Sequence, residues 1–146
     1  MSPTAFAYVV LLLIAMYQVA NWLAPYNALA ERGCTLGYVY DGDTVELKCG
    51  AERLTARLQG FDTPETKDPG CPEELAHGTL ATERLRALVA RGEVTFHKVG
   101  TDKYNRVLIR LSVDGNDVGD QLIREGLAVA YQGGTRIDWC IRLEGS

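Results

Sequence analysis

Three charged side chains lie within a stretch of nine residues that is broken by a glycine and a proline turn: Arg57, Asp62 and Glu65. Arg57 belongs to a run that alternates with apolar residues, so we expect its side chain to leave a strand on the face away from the core. Thr63 precedes Pro64 and is therefore pushed out of helical geometry, which places both acids in a constrained turn. A cation and two carboxylates on such backbone favour a metal or phosphate site. The alternative is a charged loop with a structural Arg–Asp ion pair.

Two further patches supply matching residue types. Asp43, in an Asp-Gly-Asp turn, and Asp62 offer hard oxygen ligands, which suit calcium or magnesium and not zinc. Glu65 is a candidate to hold and deprotonate a water molecule. Arg57 and Arg106 carry planar, permanently charged forks that match phosphate oxygens. Together, these groups suit the attack of water on a phosphodiester.

The elements that must position these residues follow from hydrophobic periodicity. Period-two patterns predict five strands, over residues 35–41, 44–48, 53–59, 93–98 and 106–112. Pro72 begins a helix that Gly92 ends, with acidic residues in its first turn, and a shorter helix is predicted over residues 118–125. A helix between the third and fourth of five strands indicates a mainly β, α+β domain with two to three helices. This is the arrangement of the five-stranded Greek-key barrel of the OB-fold.

The N-terminal segment differs sharply in composition from the rest. The first 30 residues contain no Asp, Glu, Lys, Arg or His, so the formal net charge of −4 belongs entirely to residues 31–146. Residues 5–23 are predominantly apolar and reach about the minimum length of a membrane-spanning helix. The sequence therefore predicts a hydrophobic helix before the barrel.

Two interpretations of residues 1–30 remain open. A cleaved signal peptide fits the small residues Ala28-Leu29-Ala30. An uncleaved signal anchor, with membrane contact through residues 5–23, fits the interfacial aromatic residues Trp22 and Tyr26. Both interpretations make residues 31–146 one exported domain, in the periplasm or outside the cell.

The cysteines agree with export. All four follow the apolar segment, and an even number in a small exported domain usually indicates disulfide bonds. No C-x-x-C pair is present, so a zinc knuckle is not indicated. Several pairings are possible, and we favour Cys34–Cys49, because a hairpin that turns about Asp41-Gly42 would place these residues opposite each other. Cys71–Cys140 would then tie the loop before the long helix to the C-terminal end.

Three motifs follow one another along the chain: Asp41-Gly42-Asp43-Thr44-Val45, then Arg57-Leu58 with Asp62-Thr63-Pro64-Glu65-Thr66, then Thr101-Asp102-Lys103-Tyr104-Asn105-Arg106. From about Gly37 to Tyr131, the sequence resembles the staphylococcal-nuclease-like (thermonuclease) family. The resemblance implies an OB-fold enzyme that uses calcium to cleave DNA and RNA at the 5′ side of the phosphodiester, leaving 3′-phosphates.

The same resemblance implies a ligand set and a base. The carboxylates of Asp43 and Asp62 and the backbone carbonyl of Thr63 are expected to bind Ca²⁺. Glu65 is expected to act as the general base or to position the attacking water.

The remaining site residues implied by the resemblance contact the nucleic acid. Arg57 and Arg106 are expected to stabilise the pentacoordinate transition state. Lys103 and Tyr104 are expected to contact the terminal phosphate of the bound nucleotide, and Tyr131 to flank the base pocket. The implied partner is DNA or RNA, and we expect a monomer.

Three features depart from the family pattern. The C-terminal helix of the family is nearly absent from the sequence, and a Cys71–Cys140 bond is expected to substitute for it. Asn105 stands where the family has a glycine, and asparagine can still adopt the left-handed conformation of that turn. The acidic balance of the chain lacks the basic field that attracts polyanions, which favours weak binding or short, single-stranded substrates. The alternative function is a non-catalytic OB-fold module that binds single-stranded nucleic acid or a protein partner.

Overall fold

A computed structural model of the protein describes residues 3–23 and 33–144. Its first element, helix α1, spans Pro3–Leu23, and the large apolar side chains from Phe6 to Val19 are exposed. Membrane contact through residues 5–23 was one expectation; among the helices of the described residues, none is both long and apolar enough to cross a membrane. The predicted cleavage pattern Ala28-Leu29-Ala30 lies outside the described residues.

After α1, the described residues 33–144 form eight strands and three helices. The strands are β1 (Cys34–Val39), β2 (Thr44–Cys49), β3 (Glu52–Leu58), β4 (Gly60–Asp62), β5 (Val94–Thr101), β6 (Val107–Val113), β7 (Asn116–Asp117) and β8 (Val129–Tyr131). The helices are α2 (Pro72–Arg91), α3 (Val118–Arg124) and α4 (Trp139–Leu143).

The five long strands form one curled, open sheet in the order β1-β2-β3-β6-β5. Strands β3 and β6 are parallel, and the other neighbours in this order are antiparallel. Strand β7 pairs with β6, while β4 and β8 form a separate two-stranded sheet. This half-barrel, with α2 between the third and fourth long strands, confirms the predicted OB-type fold.

Alternation along the strands builds the core and directs Arg57 away from it. Val45, Ala56, Leu58 and Ile109 are buried against the helices, together with the other core residues of the sheet. Arg57 lies between two of these core residues on β3, and its side chain therefore leaves the opposite face of the sheet. The predicted direction of this side chain is confirmed.

Both predicted disulfide bonds are present. Cys34 and Cys49 are register partners on β1 and β2, so their bond joins strands that are already paired. Cys71 caps the N-terminus of α2, and its bond to Cys140 fastens α4 to that helix. The second bond therefore holds the C-terminal tail against the loop that carries the acidic residues.

Candidate active site

The Asp-Gly-Asp turn delivers a buried carboxylate to the site. The amide of Asp43 donates to Asp41 Oδ1 at 3.0 Å, which closes the turn. A Cβ atom at Gly42 would lie 2.8 Å from the Thr63 side chain, so the loop can approach this closely only with glycine. Asp43 Oδ2 accepts hydrogen bonds from the Thr63 amide and hydroxyl, both at 3.1 Å. The first motif is thus joined directly to the second.

Burial makes the Asp43 carboxylate a weaker acid than usual. Desolvation raises the pKa of Asp43 to about 6 from 3.8, and the nearby charges of Asp41 and Asp62 act in the same direction. The Arg57 guanidinium and the Thr63 amide oppose this rise. Asp43 is therefore a site where an additional positive charge would stabilise the ionised form.

Arg57 lies between two aspartates. Its side chain is only 12% exposed, and its Nη2 lies 3.0 Å from Asp43 Oδ2 and 3.2 Å from Asp62 Oδ1. The same guanidinium donates to the backbone carbonyls of Leu58 at 2.8 Å and Phe61 at 3.1 Å. Four groups from two separate segments therefore fix the orientation of Arg57.

The predicted cation ligands lie together around this arginine. The carboxylates of Asp43 and Asp62 converge on one guanidinium nitrogen, and the Thr63 backbone follows Asp62 directly. Two buried carboxylates and one carbonyl form a hard-oxygen donor set, which fits calcium chemistry. We call Asp43, Asp62, Thr63 and Glu65 the acidic cluster.

A second group of ligand-type residues lies beside the acidic cluster. Cys71, Glu74 and Cys140 bring their ligand atoms within 4.8 Å of one another, but both sulfurs are already joined in a disulfide. Glu74 instead organises the loop: its carboxylate accepts from the amides of Glu65 at 3.0 Å and Gly70 at 2.7 Å. Sequence reasoning assigned Glu74 only to the first turn of the helix and missed this contact.

Glu65 is held by its own loop. Its Oε1 accepts from the amides of Thr66 at 3.0 Å and Lys67 at 3.1 Å. Its Oε2 lies 3.9 Å from Arg136 Nη1. One carboxylate oxygen is therefore fixed by the backbone, while the other is directed toward a guanidinium.

The third motif forms the turn between β5 and β6. Asp102 Oδ1 accepts from the amides of Tyr104 and Arg106, both at 2.9 Å, and Asp102 Oδ2 lies 2.8 Å from Arg106 Nε. Partial desolvation opposes ionisation, but these hydrogen bonds outweigh it and lower the pKa of Asp102. Asn105 has a φ of 63°, which confirms the predicted left-handed turn. We call Lys103, Tyr104 and Arg106 the basic hairpin.

The basic hairpin and Arg57 face one pocket. Lys103 Nζ lies 5.0 Å from the Tyr104 ring centroid, and the Arg106 guanidinium lies 5.6 Å from it. A pocket of about 270 Å³ is lined by both arginines, Lys103, Tyr104 and Tyr131. Tyr131 donates to the carbonyl of Gly134 at 2.8 Å, which holds its ring at the pocket wall. The predicted phosphate and nucleotide contacts thus share one cavity, with Arg57 between it and the acidic cluster.

Two residues of the C-terminal tail contact the acidic cluster, and neither belongs to a predicted motif. Arg136 Nη2 lies 2.5 Å from Asp62 Oδ1, and Trp139 Nε1 donates to Asp62 Oδ2 at 3.2 Å. Burial disfavours the charged guanidinium, but the hydrogen bond and charge of Asp62 outweigh it and raise the pKa of Arg136. The predicted Cys71–Cys140 disulfide was the sequence signal that could have revealed these neighbours.

Comparison with known proteins shows that the chain is similar to proteins named as endonucleases. The family described as staphylococcal nuclease homologue matches residues 55–138. Endonuclease YncB of Bacillus subtilis (strain 168) is 40% identical over 102 residues, which cover 66% of this chain and 47% of that protein. An uncharacterized endonuclease of Escherichia coli is 32% identical over 95 residues, which cover 64% of this chain and 58% of that protein.

A further relative has a lower sequence identity. The probable endonuclease LCL3 of Komagataella phaffii is 27% identical over 108 residues, which cover 68% of this chain and 47% of that protein. The chain spans about half the length of the curated relatives that it matches. Because the family match covers more than half of the chain and includes the second and third motifs, the chain belongs to the staphylococcal nuclease homologue family.

Proposed function

We propose that this chain is a calcium-dependent nuclease that hydrolyses phosphodiester bonds of DNA, RNA or both and leaves 3′-phosphates. The observation that carries the proposal is the position of Arg57, which contacts Asp43 and Asp62 and also lines the pocket of the basic hairpin. An anion in that pocket would reach two guanidinium groups while its reacting centre faces carboxylates. The endonuclease names of the relatives support internal cleavage of the substrate.

The acidic cluster supplies the cation ligands. The carboxylates of Asp43 and Asp62 and the carbonyl of Thr63 would hold Ca²⁺, since they are buried, hard-oxygen donors brought together by long-range contacts. When bound, a divalent ion neutralises negative charge on the phosphoryl oxygens. A bound cation would also reduce the repulsion between the two carboxylates.

The protein side chains carry the other parts of the reaction. Glu65 accepts a proton from the attacking water, and its orientation is fixed by two backbone amides. The water oxygen forms a bond to phosphorus while the bond from phosphorus to the 5′ oxygen breaks, and that oxygen takes up a proton from solvent. Arg57 and Arg106 donate hydrogen bonds to the phosphoryl oxygens as negative charge accumulates there.

The pocket selects the substrate. Lys103 and Tyr104 contact a phosphate beside the scissile one, and Tyr131 flanks the base. The formal net charge of −4 provides little long-range attraction for a polyanion, so we propose short or single-stranded substrates. We propose a monomeric enzyme, since the residues assigned to the reaction do not require a second copy of the chain; its mass in solution tests this.

The test is hydrolysis of plasmid, single-stranded DNA and RNA by the purified chain, in excess Ca²⁺ and in chelator. We expect cleavage only with Ca²⁺, recovery when Ca²⁺ is restored, and 3′-phosphate ends by mass spectrometry. Glu65→Gln should lower the rate by about 10²-fold or more, whereas Glu83→Gln, an exposed substitution on α2, should leave the rate unchanged. Binding of single strands without cleavage would favour the non-catalytic OB-fold module instead.

We further propose that the domain acts outside the cytosol, in the periplasm or extracellular space. The two disulfide bonds support this location, since such bonds persist in oxidising compartments. Cell fractionation, with mass determination of the mature N-terminus, tests it. Recovery of the reduced protein from the cytosol would contradict the proposal, and the N-terminal mass distinguishes a cleaved signal from a retained segment.

A further inference from the structure

The guanidinium of Arg136 occupies the position expected for a cation in the acidic cluster. Its Nη2 lies 2.5 Å from Asp62 Oδ1 and donates to the Thr63 carbonyl at 3.4 Å. Its Nη1 lies 3.9 Å from Glu65 Oε2. One side chain therefore contacts two of the proposed calcium ligands and the proposed base.

The Asp62 carboxylate is already satisfied by groups of the protein. It is 1% exposed, and its Oδ1 accepts from Arg57 and Arg136 while its Oδ2 accepts from Trp139. A divalent ion that binds Asp62 and the Thr63 carbonyl needs the lone pairs that Arg136 now uses. Arg57 and Arg136 already share Asp62 Oδ1, so a divalent ion at that oxygen would repel both guanidinium groups. Arg136 also uses the Thr63 carbonyl and is the more exposed of the two, so it is the group that the ion would displace.

The tail allows Arg136 to leave without unfolding. Trp139 is buried, Asp138 caps α4 by accepting from the Ile141 amide at 3.1 Å, and Cys140 is bonded to Cys71. Arg136 precedes these anchors, and its side chain is 47% exposed. Rotation of this long side chain into solvent would therefore remove one of the two guanidinium partners of Asp62 Oδ1 while α4 stays in place.

We propose that Arg136 is an internal counter-cation that competes with the divalent ion for Asp62 and the Thr63 carbonyl. It holds the acidic cluster together in the metal-free protein and sets the concentration of cation needed to fill the site. This inference rests on the proposed function, because it assumes the ligand set of the proposed nuclease.

The direct test is the Ca²⁺ dissociation constant of the full chain by titration calorimetry. Arg136→Gln should bind Ca²⁺ about tenfold more tightly than the natural protein, since the competitor is gone. Arg124→Gln removes the same charge from an exposed position on α3 and should leave the constant within about twofold. Arg136→Lys keeps the charge and should lie between these two variants.

Stability provides a second readout that does not depend on catalysis. In chelator, Arg136→Gln should melt at a lower temperature than the natural protein, because the buried carboxylates lose a counter-charge. Saturating Ca²⁺ should remove this difference, since the ion replaces the guanidinium. If Arg136→Gln is unfolded in chelator, refolding by excess Ca²⁺ is expected, and failure to refold would overturn the proposal.

The outcomes separate this inference from the proposed function. If Arg136→Gln and the natural protein bind Ca²⁺ equally and both cleave in a calcium-dependent way, the counter-cation role of Arg136 is wrong and the proposed nuclease function stands. Tighter Ca²⁺ binding by Arg136→Gln, with no cleavage by either protein, supports the counter-cation and overturns the nuclease. Absence of Ca²⁺ binding by both proteins overturns both proposals.

Discussion

The two arginines of the candidate site are held in opposite ways. Arg57 is 12% exposed and contacts acids and carbonyls from separate segments, whereas the Arg106 side chain is 34% exposed and pairs with Asp102 in its own turn. The acidic cluster around Arg57 is thus a product of tertiary structure, and the basic hairpin is a local structure. The difference teaches that two arginines proposed for similar roles can be held by very different sets of contacts, so we expect their removal to affect stability differently.

The largest effect is expected from Arg57→Ala. Its removal leaves Asp43 and Asp62 buried without their shared partner, so the free energy of unfolding in chelator should fall by about 3–5 kcal/mol. The rate of cleavage should fall by about 10²–10³-fold, as for loss of one transition-state donor. Urea denaturation and initial rates in excess Ca²⁺ measure the two effects. Arg57→Lys keeps the positive charge and should retain part of the stability that Arg57→Ala loses. If the free energy of unfolding of Arg57→Ala equals that of the natural protein, Arg57 is no more important for the fold than Arg106.

Arg106→Ala should lower the rate of cleavage without a comparable loss in the free energy of unfolding. The rate should again fall by about 10²–10³-fold, but the free energy of unfolding should change by less than about 1 kcal/mol, since the Arg106–Asp102 pair is partly exposed. The same denaturation and rate measurements apply. A large loss of stability in Arg106→Ala would show that the basic hairpin is no less integral to the fold than the acidic cluster.

The acidic cluster should also give the metal-free protein a distinctive pH dependence. The pKa of Asp43 is raised in the folded state from 3.8 to about 6, so its contribution to stability is present below the unfolded value and is lost as pH rises through the folded value. Relative to Asp43→Asn, the natural protein in chelator should lose on the order of 2 kcal/mol between about pH 4 and pH 7. If the free energies of unfolding of the two proteins change with pH in parallel, the pKa of Asp43 is not raised by burial.

The long strands could be predicted from the sequence alone, because buried residues recur at every second position along them. The alternation through Val45, Leu47, Ala56 and Leu58 predicted the strands, and the hairpin turn predicted which cysteines pair. Strands β4 and β8 were not predicted, because three residues hold too few periods for a pattern.

The acidic cluster was predictable only in part. The motifs named Asp43, Asp62 and Glu65, because carboxylates in constrained turns carry their own signal. Arg136 and Trp139 carry no such signal of their own. Only the predicted Cys71–Cys140 bond indicated that the tail lies near the acidic loop, and tertiary packing decides that the two residues reach Asp62. The acidic residues of this site can therefore be recognised from short motifs, whereas the tail residues that contact them are far away in the sequence and are found only in the structure.

The smallest effect is expected from Lys103→Ala in the basic hairpin. Lys103 is exposed and lies over the Tyr104 ring, so its removal takes one positive charge from the pocket and leaves the fold unchanged. KM should rise by less than about tenfold while kcat stays constant, and the slope of log KM against log salt should weaken by about 1. The matched control is Lys48→Ala, an exposed lysine on β2, which should alter neither KM nor the salt slope. Because a phosphate contact outside the reacting centre contributes equally to ground state and transition state, a fall in kcat for Lys103→Ala would instead place this lysine with Arg57 and Arg106 at the scissile phosphate.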